Sequence, residues 1–199
     1  MSRLRKLLLM EEHTCPWWFG YTFDNPIRGF LHDPADVLCG LVKEGDTVAD
    51  VGCGGGHFSL GLAKIVGEQG RVIALDVQQR MLQRARSRAK RQGLDRVIDF
   101  RLCKPDGLGL DESLDFVLAF WMAHEVPDKR AFFSEIRSAL KPSGRLFVAE
   151  PKVHVSAARF EKTVEIARES GFETVSQPRV RFSRASTFSP SPFAGGDER

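Results

Sequence analysis

Between Asp46 and Ala149 the chain alternates short apolar, β-branched runs with longer segments of helical periodicity. This alternation is typical of right-handed βαβ units, which build a parallel sheet with helices on its faces. The predicted strands are Thr47–Val51, Val72–Asp76, Ile98–Leu102, Phe116–Phe120 and Leu146–Ala149. The predicted helices are Phe58–Val66, Gln78–Gln92, Lys129–Leu140 and Ala157–Ser170. We therefore expect an α/β protein whose main domain covers residues 33–188.

The segments on either side of this region follow other patterns. Asp33 and Pro34 predict the N-cap and first residue of a short helix that reaches Val42. Gly171 is a helix stop signal, and Phe172–Ser176 and Val180–Phe188 are predicted as two further strands. Residues 189–199 lack apolar periodicity, so we expect a flexible, disordered tail there.

Composition excludes several classes of protein. With 199 residues, 42 % of them hydrophobic, the chain is long enough for one domain with its own core. A net charge of +3 is too small to indicate nucleic-acid binding by itself. The cysteines form no C-x-x-C pair, which argues against a zinc ribbon or a secreted disulfide framework. The apolar run of four residues before Glu11 is too short for a signal peptide or a membrane span, so a cytoplasmic protein is expected.

A glycine-rich turn follows the first predicted strand. Asp50 is followed by glycines at positions 52, 54 and 56, giving D-x-G-x-G-x-G. The dinucleotide fingerprint G-x-G-x-x-G would need a glycine where His57 stands. Glycines let the backbone turn tightly and let a ligand approach it closely. Asp76 ends the next strand, where an acid accepts hydrogen bonds from ribose hydroxyls in nucleoside-binding proteins.

Two further segments complete an ordered set of motifs. The strand Leu114–Phe120 is opened by Asp115 and closed by aromatics, and Leu140–Ala149 contains a Pro-x-Gly turn before a strand. Together with the glycine turn and Asp76, they resemble class I S-adenosylmethionine (SAM)-dependent methyltransferases. The domain is similar to the ubiquinone/menaquinone-biosynthesis branch of that superfamily. The resemblance implies a Rossmann-like doubly wound sheet of seven strands, mostly parallel with one antiparallel strand near the C-terminus.

The resemblance also implies a cofactor site for SAM, whose product is S-adenosylhomocysteine (SAH). The glycines would hold the methionine part, Asp50 would hold the turn or the amino group through water, and Asp76 would bind the ribose. Many relatives place an acid after the third strand, whereas here the segment reads Arg101-Leu-Cys-Lys-Pro-Asp106, so backbone contacts of Cys103 and Lys104, or Asp106, would replace it. The full set of expected cofactor-binding residues is Asp50, Gly52, Cys53, Gly54, Gly56, Asp76, Val77, Met81, Cys103 and Phe120.

Candidate catalytic residues follow the fourth and fifth strands. His124 and Glu125 lie just beyond the fourth strand, at the edge where ligands bind in open α/β sheets. Glu150 and His154 follow the fifth strand, which should lie beside it. Taken singly, each of these four residues could simply be a hydrogen-bonding residue at the end of a helix or strand. Together they could supply a general base or hold a metal. We expect His124 and Glu125 to be catalytic and assign no metal ligand.

The N-terminal extension, residues 1–32, contains five aromatic residues within positions 15–23. Three interpretations stay open: an aromatic plug on the outside of the core, a lid over the substrate pocket as in relatives, or a homodimer contact.

The resemblance implies methyl transfer from SAM to a small-molecule acceptor. A nucleic-acid or protein methyltransferase is an alternative, as is a SAM-binding protein without catalysis, and an NAD-dependent oxidoreductase is a more distant one. The predicted helix Gln78–Gln92 carries six Arg and Lys residues without an acid. They form either a solvated face or a patch for RNA or an anionic substrate.

Overall fold

The computed structural model describes residues 32–192 and contains a seven-stranded sheet with helices on both faces. The strands are β1 (Thr47–Val51), β2 (Arg71–Asp76), β3 (Ile98–Leu102), β4 (Leu114–Phe120), β5 (Leu140–Pro151), β6 (Phe172–Ser176) and β7 (Ser183–Pro190). The helices are α1 (Pro34–Val37), α2 (His57–Val66), α3 (Gln79–Arg91), α4 (Lys129–Ala139) and α5 (Ala157–Glu169), with a short 3₁₀ helix at Ala123–Glu125.

The strand order is β3-β2-β1-β4-β5-β7-β6. Strands β1 to β5 pair in parallel, and β7 runs antiparallel to both of its neighbours. The predicted fold class is therefore confirmed, including the antiparallel strand near the C-terminus. The direction in which the strands are added to the sheet reverses between β1 and β4. At such a reversal in open α/β sheets, ligands bind in the crevice beyond the carboxyl ends of the strands.

Successive side chains along each strand point to opposite faces of the sheet and fill two apolar layers. Val48, Val72 and Phe116 pack in the layer that contains α2 and α3. Their neighbours in sequence, such as Ile73 and Val117, pack on the opposite face with α4 and α5. Because the central strands are covered on both faces, they are continuous apolar runs, as expected for a parallel sheet.

The ends of several elements differ from the sequence prediction. Helix α1 ends at Val37 rather than Val42, although Asp33 caps it as predicted by accepting from the Ala35 N–H at 2.9 Å. Strand β5 begins at Leu140 rather than Leu146, because Leu140 pairs with Leu114 and the residues up to Arg145 form an irregularity. No helix within residues 32–192 is long and apolar enough to cross a membrane.

The last strand corrects the predicted start of the tail. Strand β7 begins at Ser183 rather than Val180. It includes Ser189 and Pro190, because they pair with Glu173 and Phe172 of β6. These two residues therefore belong to the sheet. The remainder of the predicted tail beyond Pro192, and the N-terminal extension before His32, lie outside the described residues.

Candidate active site

The turn after β1 is a left-handed glycine loop held on two sides. Gly52, Gly54 and Gly56 have φ values of 70°, 52° and 80°, which favour glycine. A Cβ on Gly52 would lie 2.8 Å from the Met122 side chain, and one on Gly56 would lie 2.8 Å from Ala85. A Cβ on Gly54 would meet nothing within 4 Å. The loop is thus fixed at both ends and leaves open space over its middle glycine.

Asp76, at the end of β2, connects this loop to α3. Its Oδ2 accepts a hydrogen bond from the Gly54 N–H at 2.8 Å, and its Oδ1 accepts one from the Gln78 N–H at 2.8 Å. Burial raises the pKa of this carboxyl group, and the backbone N–H donors oppose the shift. Each carboxylate oxygen has a second lone pair. Asp76 can therefore hold the loop and still accept a hydroxyl of a bound ligand.

Asp50 and Cys53 are buried beneath the loop. The Asp50 carboxylate accepts a hydrogen bond from Ser59 Oγ at 2.5 Å, so it braces the first turn of α2. Sequence reasoning gave Asp50 a role in the turn but did not identify Ser59. Burial, followed by the nearby Asp50 and Asp76 charges, raises the pKa of the Cys53 thiol well above its ordinary value. The Cys53 N–H donates to the Leu75 carbonyl at 2.9 Å, so this residue fixes the loop.

Apolar side chains border the loop at the carboxyl ends of β2 and β3. Val77 is 39 % exposed, Leu102 is 58 % exposed and Met81 is half-buried. Together they offer an apolar edge of the kind that a flat, apolar ring can cover. Leu102 was not among the predicted site residues, because an apolar strand residue carries no sequence signal that it faces solvent.

The segment after β3 uses its backbone groups internally. The Cys103 N–H donates to the Asp76 carbonyl at 3.1 Å, and the Lys104 N–H donates to the Gly107 carbonyl at 3.1 Å. The N–H groups of Cys103 and Lys104 thus have partners within the protein, and the predicted backbone contacts of these residues with a ligand stay a prediction. Burial and the Asp76 charge raise the pKa of the Cys103 thiol to about 11. Cys103 is thus a neutral, half-buried thiol beside Asp76.

At the end of β4, Phe120 belongs to an aromatic cluster. Its ring centroid lies 4.4 Å from that of Phe58 and 5.2 Å from that of His32. Phe120 is 4 % exposed, so its predicted contact with a cofactor stays a prediction. The next residue, Trp121, has a φ of 63°, and its indole N–H donates to Ser183 Oγ at 2.8 Å. A bulky residue in the left-handed region is strained, and such strain clusters at functional sites.

His124 and Glu150 form a hydrogen-bonded pair at the carboxyl ends of β4 and β5. His124 Nδ1 lies 2.6 Å from Glu150 Oε2, and Glu150 is 1 % exposed. The other oxygen, Glu150 Oε1, has no hydrogen-bond partner within residues 32–192. A carboxylate that accepts from Nδ1–H fixes the neutral imidazole in the tautomer whose Nε2 carries a lone pair. The pair fixes the orientation of the His124 ring, and Nε2 is the ring nitrogen that is not bonded to Glu150.

The other two predicted residues lie close to this pair. His124 Nε2 is 4.0 Å from Glu125 Oε1, and the His154 ring stacks on His124 at a centroid distance of 6.3 Å. Burial, with His124 as a second cause, lowers the pKa of His154. The fold thus brings together the four residues that the sequence placed after β4 and β5. Residues 32–192 contain no group of three or more His, Cys, Asp or Glu side chains arranged to hold a metal ion.

Two arginines of α3 have internal partners rather than only solvent contacts. Arg88 Nη1 donates to the Gly55 carbonyl at 2.8 Å, which ties α3 to the glycine loop. Arg86 Nη2 donates to the Phe100 carbonyl at 3.1 Å, and its guanidinium lies over the Phe100 ring. The interpretation of this helix as a solvated face is therefore incomplete at these two positions.

Known proteins resemble the chain in both sequence and structure. It is 37 % identical over 112 residues to a demethylmenaquinone methyltransferase of Lactobacillus johnsonii, covering 55 % of this chain and 45 % of the relative. It is 35 % identical over 127 residues to a ubiquinone biosynthesis O-methyltransferase of Idiomarina loihiensis, covering 62 % of this chain and 48 % of the relative. The chain thus spans about half the length of these curated relatives.

A solved structure covers more of the chain. A SAM-dependent methyltransferase from Aquifex aeolicus superposes with a TM-score of 0.79 at 26 % identity, covering 88 % of this chain and 98 % of that one. The sequence model of the family described as "Methyltransferase domain" matches residues 42–178. That match spans more than half of the chain, and its bounds enclose the glycine loop, Asp76 and the His124–Glu150 pair. The chain belongs to this methyltransferase domain family.

Proposed function

We propose that this chain transfers a methyl group from SAM to a small-molecule acceptor. The observation that carries the proposal is the glycine loop, which is rigidly held at Gly52 and Gly56 and open over Gly54 beside Asp76. A backbone that is fixed, bare of Cβ atoms and next to a buried carboxylate suits a nucleoside ligand with a polar tail. Membership in the methyltransferase domain family makes SAM the ligand that fits this loop.

The residues present fit each part of SAM. The open face over Gly54 would take the methionine part, since a Cβ there would occupy otherwise empty space. Asp76 would accept ribose hydroxyls with its free lone pairs. The apolar edge formed by Val77, Met81 and Leu102 would cover the adenine. Asp50 and Cys53 would act from below by holding the loop in shape.

The chemistry divides between cofactor and protein. SAM supplies a methyl group on a sulfonium, which is already a good leaving group, so the protein mainly aligns the reactants. For an acceptor O–H or N–H, His124 Nε2 accepts the proton as the methyl bond forms. The Glu150 carboxylate, 2.6 Å from Nδ1, stabilises the resulting imidazolium. Met122 lies against Gly52, so the glycine loop and the His124 turn pack directly on each other.

Two findings support a small-molecule acceptor. The curated relatives described above are named for quinone substrates or quinone biosynthesis. In addition, Arg86 and Arg88 of α3 bond within the protein, which reduces the basic face available to RNA. One of these two relatives is named an O-methyltransferase, so an oxygen acceptor is compatible with the domain.

We expect isothermal calorimetry to detect micromolar binding of SAM and SAH to the native chain and no binding of NAD. Asp76→Ala should weaken SAM binding by about 1–3 kcal/mol, the usual cost of losing a charged acceptor for hydroxyls. Because Asp76 also accepts from the Gly54 N–H, a thermal unfolding curve must accompany the titration. Asp99→Ala is a matched control, since it removes a partly exposed acid from β3. Tight NAD binding, or unchanged SAM affinity in folded Asp76→Ala, would contradict the assignment.

A further inference from the structure

A cavity of about 530 Å³ lies at the starts of α4 and α5, with His124 in its wall. Both helices begin just after the carboxyl ends of β4 and β5, so the cavity opens at the same edge of the sheet as the glycine loop. The volume is within the range of small-molecule sites, which is about 300–1,000 Å³. Val155 and Ile166 add apolar surface to the lining.

The cavity is strongly cationic. Its lining includes Lys129, Arg130, Arg159 and Lys162, against a single acid, Asp128. The Asp128 side chain caps α4 by accepting a hydrogen bond from the Ala131 N–H at 3.0 Å, which holds it at the start of that helix. Arg130 pairs with Glu169. Lys129, Arg159 and Lys162 therefore outnumber the single acid of the lining.

The two cations of α5 have no partner among the described side chains. Within residues 32–192, the side chains of Arg159 and Lys162 are exposed and form no hydrogen bond or ion pair. Arg159 and Lys162 are three apart on α5 and share one face of the helix. Lys129 is half-buried and donates to the Val126 carbonyl at 3.2 Å. Burial lowers the pKa of Lys129, Glu150 opposes this shift, and Arg159 adds to it.

The geometry of the cavity distinguishes these cations from isolated charges on a helix surface. Here cations from two helices line one concave space, and the half-buried Lys129 lies near both Glu150 and Arg159. Glu150 offsets only part of this positive charge, so the cavity keeps a positive potential that favours the entry of an anion. The apolar lining indicates that the anion carries an apolar body.

We infer that this cavity binds the anionic group, a carboxylate or phosphate, of an otherwise apolar methyl acceptor. Lys129, Arg159 and Lys162 bind the anion and place the reacting part of the acceptor toward His124. Only one part of the inference rests on the proposed function, namely that the bound anion belongs to the methyl acceptor. The anion site itself can be tested without methyl transfer.

The test uses benzoate and inorganic phosphate as anionic probes and benzamide as a neutral analogue of benzoate. Their binding to the native chain is followed by NMR of the histidine side chains, with the His124 signal assigned from a His124→Gln spectrum. We expect benzoate to shift the His124 signal with a dissociation constant of about 1 mM. Benzamide should bind at least about tenfold more weakly, because it lacks the charge. Comparison of benzoate with phosphate distinguishes a carboxylate site from a phosphate site.

A double variant and a matched control identify the residues. Arg159→Gln/Lys162→Gln should weaken the binding of the preferred anion by at least about tenfold. Lys64→Gln/Arg96→Gln makes the same change in net charge with two residues outside the cavity lining and should leave anion binding unchanged. Loss of anion binding with unchanged SAH affinity in the first variant supports the inference.

Three results would overturn the inference. The first is equal binding of benzoate and benzamide, and the second is equal anion affinity in the two double variants. The third is the absence of any shift with either anion at concentrations well above the expected dissociation constant. Failure of the proposed function looks different, because the native chain would then bind the anion as expected and fail to bind SAH.

Discussion

Replacing Gly54 by valine is expected to abolish measurable SAM binding. The space over Gly54 is open to 4 Å, and it is the place that the methionine part of the cofactor would occupy. A branched side chain there would collide with the ligand, whereas its Cβ would meet no protein atom within 4 Å. Calorimetry with SAM and SAH measures the effect directly.

Backbone strain must be separated from collision with the ligand, because Gly54 has a φ of 52°. Gly93, which follows the C-terminal end of α3, is a matched control. Its φ is 69°, and a Cβ added there would also meet nothing within 4 Å. Both valine variants should lose about 1–2 kcal/mol of stability through the left-handed backbone. Only Gly54→Val should lose SAM binding. Native affinity in folded Gly54→Val would place the cofactor elsewhere.

The second large effect is expected at His124. His124→Ala should lower turnover by about two to four powers of ten while SAM affinity stays nearly intact, as removal of a general base does. Single-turnover kinetics measure the turnover, and a separate cofactor titration measures the SAM affinity.

His154→Ala is the matched control for this experiment. The His154 ring stacks 6.3 Å from that of His124, but within residues 32–192 no hydrogen bond joins His154 to Glu150. We expect His154→Ala to retain most of the turnover. If His124→Ala instead lost thermal stability and kept its rate per folded molecule, His124 would be a structural residue.

The positions of the strands were predictable from local pattern, whereas the seven-stranded sheet with its antiparallel strand was an expectation from the resemblance to class I methyltransferases. The central strands are continuous apolar runs, and Gly171 ends the last helix where the pattern predicts. The predicted end of α1 at Val42 and the predicted start of the tail at Ser189 were wrong, because both depend on pairing or packing rather than on local pattern. Ser189 joins β7 because β6 is available to pair with it.

The candidate site was predictable in its types of residue but not in their connections. Asp50, Asp76 and His124 are all recognisable from their positions in or after strands. Their partners, such as Ser59 for Asp50, are set by side-chain direction, which a sequence does not specify. Likewise Arg88 looks like any exposed helix cation until the fold places it against the Gly55 carbonyl.

The cationic cavity is a further case of this limit. Lys129 and Arg159 are 30 positions apart in the chain and belong to different helices. Only the adjacent carboxyl ends of β4 and β5 bring the helix starts together. No local charge pattern could have shown that these residues line one space with His124.

Methyl transfer itself is the most direct test of the central claim. The native chain is incubated with SAM that carries a deuterated methyl group. Three kinds of acceptor are tested separately: small aromatic molecules that carry both a hydroxyl and an anionic group, total RNA, and a protein extract. Mass spectrometry then follows SAH and the labelled methyl. We predict that SAH accumulates and that the label enters a small molecule, with both signals lost in Gly54→Val. Label found only in RNA or protein, or SAM bound without SAH formation for any acceptor, would contradict the account.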